Sequence, residues 1–343
     1  MNLVTGGAGH LGNVLVRELL DREEKVRVLI LPGEDTQSLD GLVIERVEGN
    51  VLDKDSLVAA MAGVDVVFHL ASLVSITEEQ EGLLYAVNVE GTQNVIDAAR
   101  ETGVNKLIYT SSIHALERPP KGMVIDEKLQ FDANNPAGPY DRTKAQASLL
   151  IQKASQEGLD ARIVCPTGVV GPYDYRRSEI GELILSWMEK PLNFMVEGAF
   201  DFVDVRDVAK GQIMARDHGK RGETYILGGE RIELTLLHKL VQKVTGKNSK
   251  MITFPLPIAM VVAPLAELYY KITKTRPVLT RYALETVFSN SEISSEKARK
   301  ELGYQPIKLE KSIPDTVRWW WDNLALAKKT LRLTSKKPVQ DKL

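Results

Sequence analysis

Two hydrophobic rhythms alternate along the first half of the chain. Short apolar runs at 2–5, 26–31, 42–47, 64–70 and 106–111 read as strands, while Leu11, Val14, Leu15, Leu19 and Leu20 recur at the spacing of one helix face. Further helices are expected over 56–61, 83–102 and 137–157. Strand and helix in strict alternation argue for an α/β fold, a parallel sheet with helices on both faces. Right-handed crossovers then favour a doubly wound sheet, which places ligands over the carboxyl ends of its strands.

The junction between the first strand and the first helix is rich in glycine: Thr5-Gly-Gly-Ala-Gly-His-Leu-Gly12. A helix start offers unpaired N–H groups and the positive end of its dipole, so a pyrophosphate can sit there if no Cβ blocks its approach. Gly6, Gly9 and Gly12 supply that clearance, with His10 and Leu11 between the last two. Glycines in a turn between a strand and an amphipathic helix are the context a dinucleotide fingerprint requires. The spacing Thr-Gly-x-x-Gly-x-x-Gly is wider than the usual Gly-x-Gly-x-x-Gly, and this form resembles that of the short-chain dehydrogenase/reductase superfamily.

Composition narrows the classes without choosing one. The 343 residues suffice for one large domain or two sharing a core, and a formal net charge of −2 with mixed signs gives no reason to expect a nucleic-acid partner. Cys165 is the single cysteine, which fits a reducing, cytoplasmic setting. The first strand starts at the initiating methionine, so no cleaved signal peptide is expected. The longest apolar stretch, 255–266, is interrupted by prolines and falls short of the roughly 20 residues a membrane span needs. No clustered spacing suggests a metal site.

Two later motifs carry chemistry. Thr110-Ser-Ser-Ile-His114 ends the fifth strand, and Pro139-Tyr-Asp-Arg-Thr-Lys144 opens the next long helix. Tyr140 and Lys144 are one helical turn apart, so the ammonium falls near the phenol. A free phenol titrates near ~10, and a neighbouring cation lowers that value towards the range useful for proton exchange. With the glycine turn ahead of them in order, these residues resemble the extended short-chain dehydrogenase/reductases, the NAD-dependent epimerase/dehydratase family. The resemblance implies a Rossmann-type fold with Tyr140 as acid/base, Lys144 as its tuner and ribose contact, and Ser112 as hydrogen-bond partner of the substrate oxygen.

The resemblance also implies cofactor contacts from Asn50 and Val51 in Gly49-Asn-Val-Leu-Asp53, from Leu70 and Ala71 at the fourth strand's tip, and from Pro166, Gly168 and Val169 in Ile163-Val-Cys-Pro-Thr-Gly-Val-Val-Gly-Pro172. Leu31 stands where many relatives carry the arginine that accommodates an NADP 2′-phosphate, and Glu34 and Asp35 follow it. NAD(H) is therefore favoured over NADP(H). Asp53 reads as a helix cap, His69 as a packing residue, and Cys165 as inert core. Asn88, in Asn-x-x-Gly-Thr, either orders the active site or packs its helix. His114 is a loop residue or a second proton donor; with Ile113 it replaces the Asp-Glu pair of the superfamily's dehydratases, which disfavours sugar dehydration. Asp204 or Asp207 is expected to cap or orient the helix after the return strand.

On this reading residues 1–170, with a return segment at about 201–227, form an NAD(P)-binding Rossmann domain. Residues 171–200 and 228–325 form a small, mostly C-terminal substrate lobe, and 326–343 a basic tail. Ile226-Leu-Gly-Gly-Glu230, the segment 255–272 and the stretch from Ser294 to Tyr304 resemble the branch of dihydroflavonol reductases and 3β-hydroxysteroid dehydrogenases. That branch implies carbonyl–alcohol interconversion on a bulky, partly apolar small molecule. A sugar-nucleotide epimerase and a non-catalytic nucleotide-sensing protein are the alternatives. Homodimerisation through the helices at 83–102 and 137–157 is a family-level expectation. The segment 255–272 reads either as a buried helix or as an apolar face for a membrane or lipophilic substrate. Trp319-Trp-Trp321, followed by Lys328, Lys329, Arg332, Lys336 and Lys337, suggests either peripheral contact with anionic lipid or a packed helix with a solvated tail. At least one of the three tryptophans should lie exposed.

Overall fold

A computed structural model describes residues 1–74, 81–247, 249–273, 284 and 290–323. Its strands are β1 (Asn2–Thr5), β2 (Val26–Ile30), β3 (Glu45–Glu48), β4 (Val66–His69), β5 (Lys106–Thr110), β6 (Ala161–Pro166), β7 (Gly168–Val170), β8 (Leu192–Val196), β9 (Ala199–Asp204), β10 (Thr224–Leu227), β11 (Glu230–Glu233) and β12 (Lys250–Phe254). The helices are α1 (His10–Leu20), α2 (Lys54–Met61), α3 (Glu81–Tyr85), α4 (Gly91–Thr102), α5 (Pro139–Gln156), α6 (Glu179–Glu189), α7 (Val205–His218), α8 (Leu234–Thr245), α9 (Leu256–Thr273), α10 (Glu296–Leu302) and α11 (Leu309–Asp322).

Seven parallel strands in the order β3-β2-β1-β4-β5-β6-β10 make the central sheet. Because successive strand residues point to opposite faces, each strand feeds two cores. Leu3, Val67, Leu107 and Ile163 pack with Ile96 of α4 and Ile151 of α5, while Val4, Phe68, Ile108 and Val164 pack with Leu15 of α1 and Ile213 of α7. The apolar runs therefore had to be nearly continuous, as strands buried on both sides are. The order reverses at β1, which lies between β2 and β4, and the crevice over the strand ends opens there. Two smaller sheets, β11-β9-β7 and β12-β8, lie outside this frame.

Some boundaries differ from the hydrophobic pattern. The run 42–47 contributes only its last residues to a strand: Leu42 and Ile44 pack on the core from a loop, and β3 runs to Glu48 as an exposed edge. The helix expected over 83–102 is broken by a π turn at Ala86–Glu90, which carries Asn88. The alternative of a buried helix at 255–272 is corrected over 257–265; the side chains from 266 on lie outside the described ones. Ala259 and Ala263 of α9 join a small cluster with Val196 and Leu284, whereas Ile258, Met260, Val261, Val262 and Leu265 are exposed. Among the described side chains of that helix, the buried ones are the small Ala259 and Ala263.

The three tryptophans separate as helical geometry requires. Trp320 is fully buried, Trp319 lies edge-on to Tyr175 at 5.2 Å, and Trp321 is 41% exposed. The basic residues from Lys328 to Lys337 lie outside the described residues. Among those described, no helix is long and apolar enough to cross a membrane, and no group of His, Cys, Asp or Glu could hold a metal ion.

Candidate active site

The glycine turn is built by close backbone approach. Gly6 takes a left-handed φ of 70°, and a Cβ on it would stand 2.7 Å from the Ala71 nitrogen. A Cβ on Gly12 would stand 2.1 Å from the Gly6 carbonyl oxygen, so α1 can pack against β1 only with glycine there. A Cβ on Gly9, by contrast, meets only that oxygen, at 3.2 Å, and otherwise faces open space. Among the described residues no side chain caps the first turn of α1, and none of that turn is acidic. The cradle thus keeps positive helix-end potential and an open approach, which fits a pyrophosphate.

Thr5 joins this turn to the tip of β4. Its hydroxyl accepts from the Leu70 and Ala71 amides and lies 2.7 Å from His69 Nδ1. His69 Nε2 is 3.1 Å from the Thr92 hydroxyl, which donates to the Asn88 carbonyl. Thr92 is already a donor to Asn88, so Nε2–H donates to Thr92 and Nδ1 accepts from Thr5. His69 is neutral: burial, helped by the Lys144 charge, pushes its pKa down to about 3. Its expected packing role is what the structure shows.

Ser112 and Tyr140 meet at the carboxyl end of β5. Ser111 points the other way, onto the Ser148 hydroxyl at 2.6 Å, as alternation along a strand demands. The Ser112 hydroxyl accepts from the His114 amide at 3.2 Å and interacts with the Tyr140 phenol, drawing its pKa down. Burial outweighs that effect and holds the phenol above its ordinary value, with the Asp141 and Glu179 charges adding to the rise.

Lys144 departs from the simple one-turn expectation. Its buried ammonium donates to the Thr110 carbonyl at 2.6 Å and stands 4.7 Å from the centre of the Tyr109 ring. Burial pushes the amine down to about 7. The Lys144 charge is thus spent on a backbone carbonyl, and the downward tuning of Tyr140 expected from the spacing is not what this geometry shows. The cause is desolvation, which acts against the charged form of both groups at once.

Asn88 is the site's organiser. Its Oδ1 accepts from the Ser72 hydroxyl (2.9 Å) and the Leu73 amide (2.8 Å), and its Nδ2 donates to the Thr143 hydroxyl at 3.1 Å. One side chain therefore ties the loop after β4 to the helix that carries Tyr140 and Lys144. Thr143 was not among the expected residues, nor was Asp141, a fully buried carboxylate bonded to Arg118 at 2.8 Å. Only the position of Asp141 beside Tyr140 in sequence could have drawn attention to it.

The remaining expected residues fall around the crevice. Asn50 Oδ1 accepts from the Leu52 amide at 3.0 Å, Val51 packs against Gly91, and Asp53 caps α2 through the Asp55 and Ser56 amides. Pro166 ends β6, and Gly168 and Val169 begin β7, where a Cβ on Gly168 would stand 2.7 Å from the Phe202 ring. Burial pushes the Cys165 thiol up to about 12, in keeping with inert core. Asp204 caps α7 through the Arg206 amide, while Asp207 accepts from the Ile307 amide. His10 Nε2 bonds the Pro172 carbonyl at 2.9 Å, and Leu31 lies exposed beyond β2. The Glu34 carboxylate near it is already paired, with Arg176 at 2.5 Å, an arginine distant in sequence that the reading of this strand end did not include.

A glycine cradle at the switch point of a parallel sheet, with helices on both faces, defines a Rossmann-type fold. The chain belongs to the NAD dependent epimerase/dehydratase family, whose model matches residues 2–228. It is 35% identical over 322 residues to sterol demethylase protein B of Methylococcus capsulatus, covering 93% of this chain and 97% of that one. It is 31% identical to a putative dihydroflavonol 4-reductase of Synechocystis over 92% of this chain and 93% of that one. The crystal structure of gox2253 superposes with a TM-score of 0.82 at 32% identity, covering 94% of this chain and 98% of the other.

Proposed function

We propose that this protein is an NAD(P)-dependent oxidoreductase that interconverts a carbonyl and an alcohol on a bulky, partly apolar substrate, with Ser112, Tyr140 and Lys144 as its catalytic residues. The grouping of the Ser112 hydroxyl and the Tyr140 phenol, with Lys144 one helical turn along, carries the reading. The cofactor contacts proposed are Gly6, Gly9, His10, Leu11, Gly12, Leu31, Asn50, Val51, Leu70, Ala71, Tyr140, Lys144, Pro166, Gly168 and Val169, with NAD(H) favoured. A small recess of mixed character, lined by Ile113, Leu116, Ile125, Phe200 and Ile293 together with His114, Glu117, Arg118 and Asn290, offers apolar surface to part of a substrate. The names of the two relatives, a sterol demethylase protein and a dihydroflavonol reductase, point the same way.

The nicotinamide, when bound, supplies or accepts the hydride. In the reducing direction a carbonyl oxygen seated between Ser112 and Tyr140 receives a hydrogen bond from the serine and the proton of the phenol. Burial raises the Tyr140 pKa, so the phenol is protonated at neutral pH but a weaker acid than a free phenol, and the hydrogen bond with Ser112 works against that rise. In the oxidising direction the phenolate must form, and Lys144, one helical turn along, would have to turn from the Thr110 carbonyl to stabilise it. Asn88 and the Arg118–Asp141 pair hold the first turn of α5 so that the phenol stays aimed at the cleft.

The test is a turnover screen with both nicotinamide forms against sterol, aromatic and sugar-nucleotide carbonyls. Net oxidation of the reduced cofactor with an apolar ketone, lost in Tyr140→Phe, is the expected result. Interconversion of sugars without net redox change would instead establish an epimerase. Unchanged activity in Tyr140→Phe would remove the tyrosine from the mechanism.

A further inference from the structure

The loop Pro172–Ser178 between β7 and α6 is moored to the start of the chain. His10 holds the Pro172 carbonyl, Asn13 Nδ2 donates to the Tyr173 carbonyl at 3.1 Å, and the Arg17 guanidinium stands 4.7 Å from the centre of the Tyr173 ring. Tyr173 and Arg177 both take positive φ, 67° and 55°, a conformation non-glycine residues adopt only when their surroundings impose it. Buried Asp174 accepts from the Ser178 amide and hydroxyl and closes the loop on itself. Arg176 is thereby carried out of the loop towards the end of β2.

There it meets Glu34. Its guanidinium donates to Glu34 Oε1 at 2.5 Å and to the Asp35 carbonyl at 3.3 Å, while Glu34 Oε2 accepts from the Leu31 amide at 3.1 Å. The Glu34 side chain is 15% exposed and that of Arg176 48%. An acid about 20 residues beyond the glycine turn, at the end of the second strand, is where a Rossmann fold meets the adenosine ribose.

We propose that Arg176, reaching across from this loop, is the residue that decides with Glu34 which ribose 2′ substituent is held. This rests on the cofactor assignment made above. While Glu34 is charged it engages the guanidinium, accepts from a ribose hydroxyl and repels a 2′-phosphate. Once that charge is removed, the guanidinium is free, and its planar fork matches a phosphate. Selectivity is then written in two segments far apart in sequence, and the second strand alone does not encode it.

The experiment uses the intact chain and the variants Glu34→Gln, Arg176→Ala and the double substitution, with dissociation constants for NADH and NADPH read from nicotinamide fluorescence. Glu34→Gln is expected to tighten NADPH binding by about ten-fold or more, the gain of one charge-assisted phosphate contact. The double variant should lose that gain, NADH should bind the Glu34 variants up to about ten-fold more weakly as the charge-assisted bond to the ribose hydroxyl is lost, and an unchanged melting temperature reports that each variant is folded. A gain that survives removal of Arg176, or no gain at all with NADH binding retained, overturns the proposal alone. A wild-type chain that binds neither nucleotide overturns the cofactor assignment with it.

Discussion

At Tyr140 and Lys144 burial and charge compete, and burial prevails at both. The phenol is held protonated and the amine pushed down to about 7, so the pair stands closer to neutral phenol and neutral amine than the separated residues would. Tyr140→Phe removes the transferable proton and leaves the ring's packing in place. The expected outcome is a loss of about 10²- to 10⁴-fold in kcat with a much smaller change in cofactor affinity, measured by steady-state kinetics and fluorescence titration. Lys144 gives a pH signature in stability. Its folded pKa lies below the unfolded value near 10.5, so the native chain binds fewer protons between about 7 and 10.5, and stability should rise with pH across that window. Below pH 7 both states carry the charge and the burial penalty is present in full. In denaturant titrations the difference between wild type and Lys144→Met should therefore change by at most about 1.4 kcal/mol per pH unit in that window, favouring wild type as pH rises. The i to i+4 spacing indicated that the two residues share a face, and it could not show that the Thr110 carbonyl takes the ammonium.

Among the elements, β1, the glycine turn and α1 divide their tasks sharply. Gly12 is required by the fold, because any Cβ there enters the Gly6 carbonyl, whereas the Cβ of an alanine at position 9 would sit towards the open approach. Gly12→Ala should lower the melting temperature by several degrees, an effect of about 1–3 kcal/mol, and abolish nucleotide binding. Gly9→Ala should keep the melting temperature and lose binding. Thermal unfolding and fluorescence titration separate the two outcomes. This turn was readable in the sequence, since its backbone conformation depends on residues within one short segment. The π turn at Ala86–Glu90 was not, because periodicity registers a helix face without showing that one extra residue has been let in. That extra residue swings Asn88 towards Ser72 and Thr143. The same limit explains α9, whose apolar residues resemble a core helix although, among its described side chains, those in a core cluster are Ala259 and Ala263.

For the molecule as a whole, α11, the last helix among the described residues, is fastened to β9 and α7 through Asp204. That fully buried carboxylate caps α7, accepts the Ser312 hydroxyl at 2.5 Å and pairs with Arg206, which reaches on to Asp315 at 2.9 Å. Asp204→Ala should cost about 3 kcal/mol by leaving Arg206 and Ser312 without their shared partner, measured by urea unfolding. Asp204→Asn should recover part of the loss, since the amide oxygen still accepts at the cap. Trp320, with no exposure, sits on the same helix and near Gly181 of α6, so loosening this fastening also opens the core beneath the segments proposed to hold substrate.

What the sequence determined by itself was whatever depends on near neighbours along the chain: alternating strand and helix, the glycine turn, the Tyr-x-x-x-Lys turn, and the orientation of Ser112 opposite to Ser111. These follow from backbone geometry repeating every two or 3.6 residues. Tertiary structure alone decided the pairings between distant segments: Arg176 with Glu34, Arg118 with Asp141, Asn88 with Thr143, and Lys144 with a strand-end carbonyl. Charges and burial depend on which surfaces the fold brings together, and no local pattern records that.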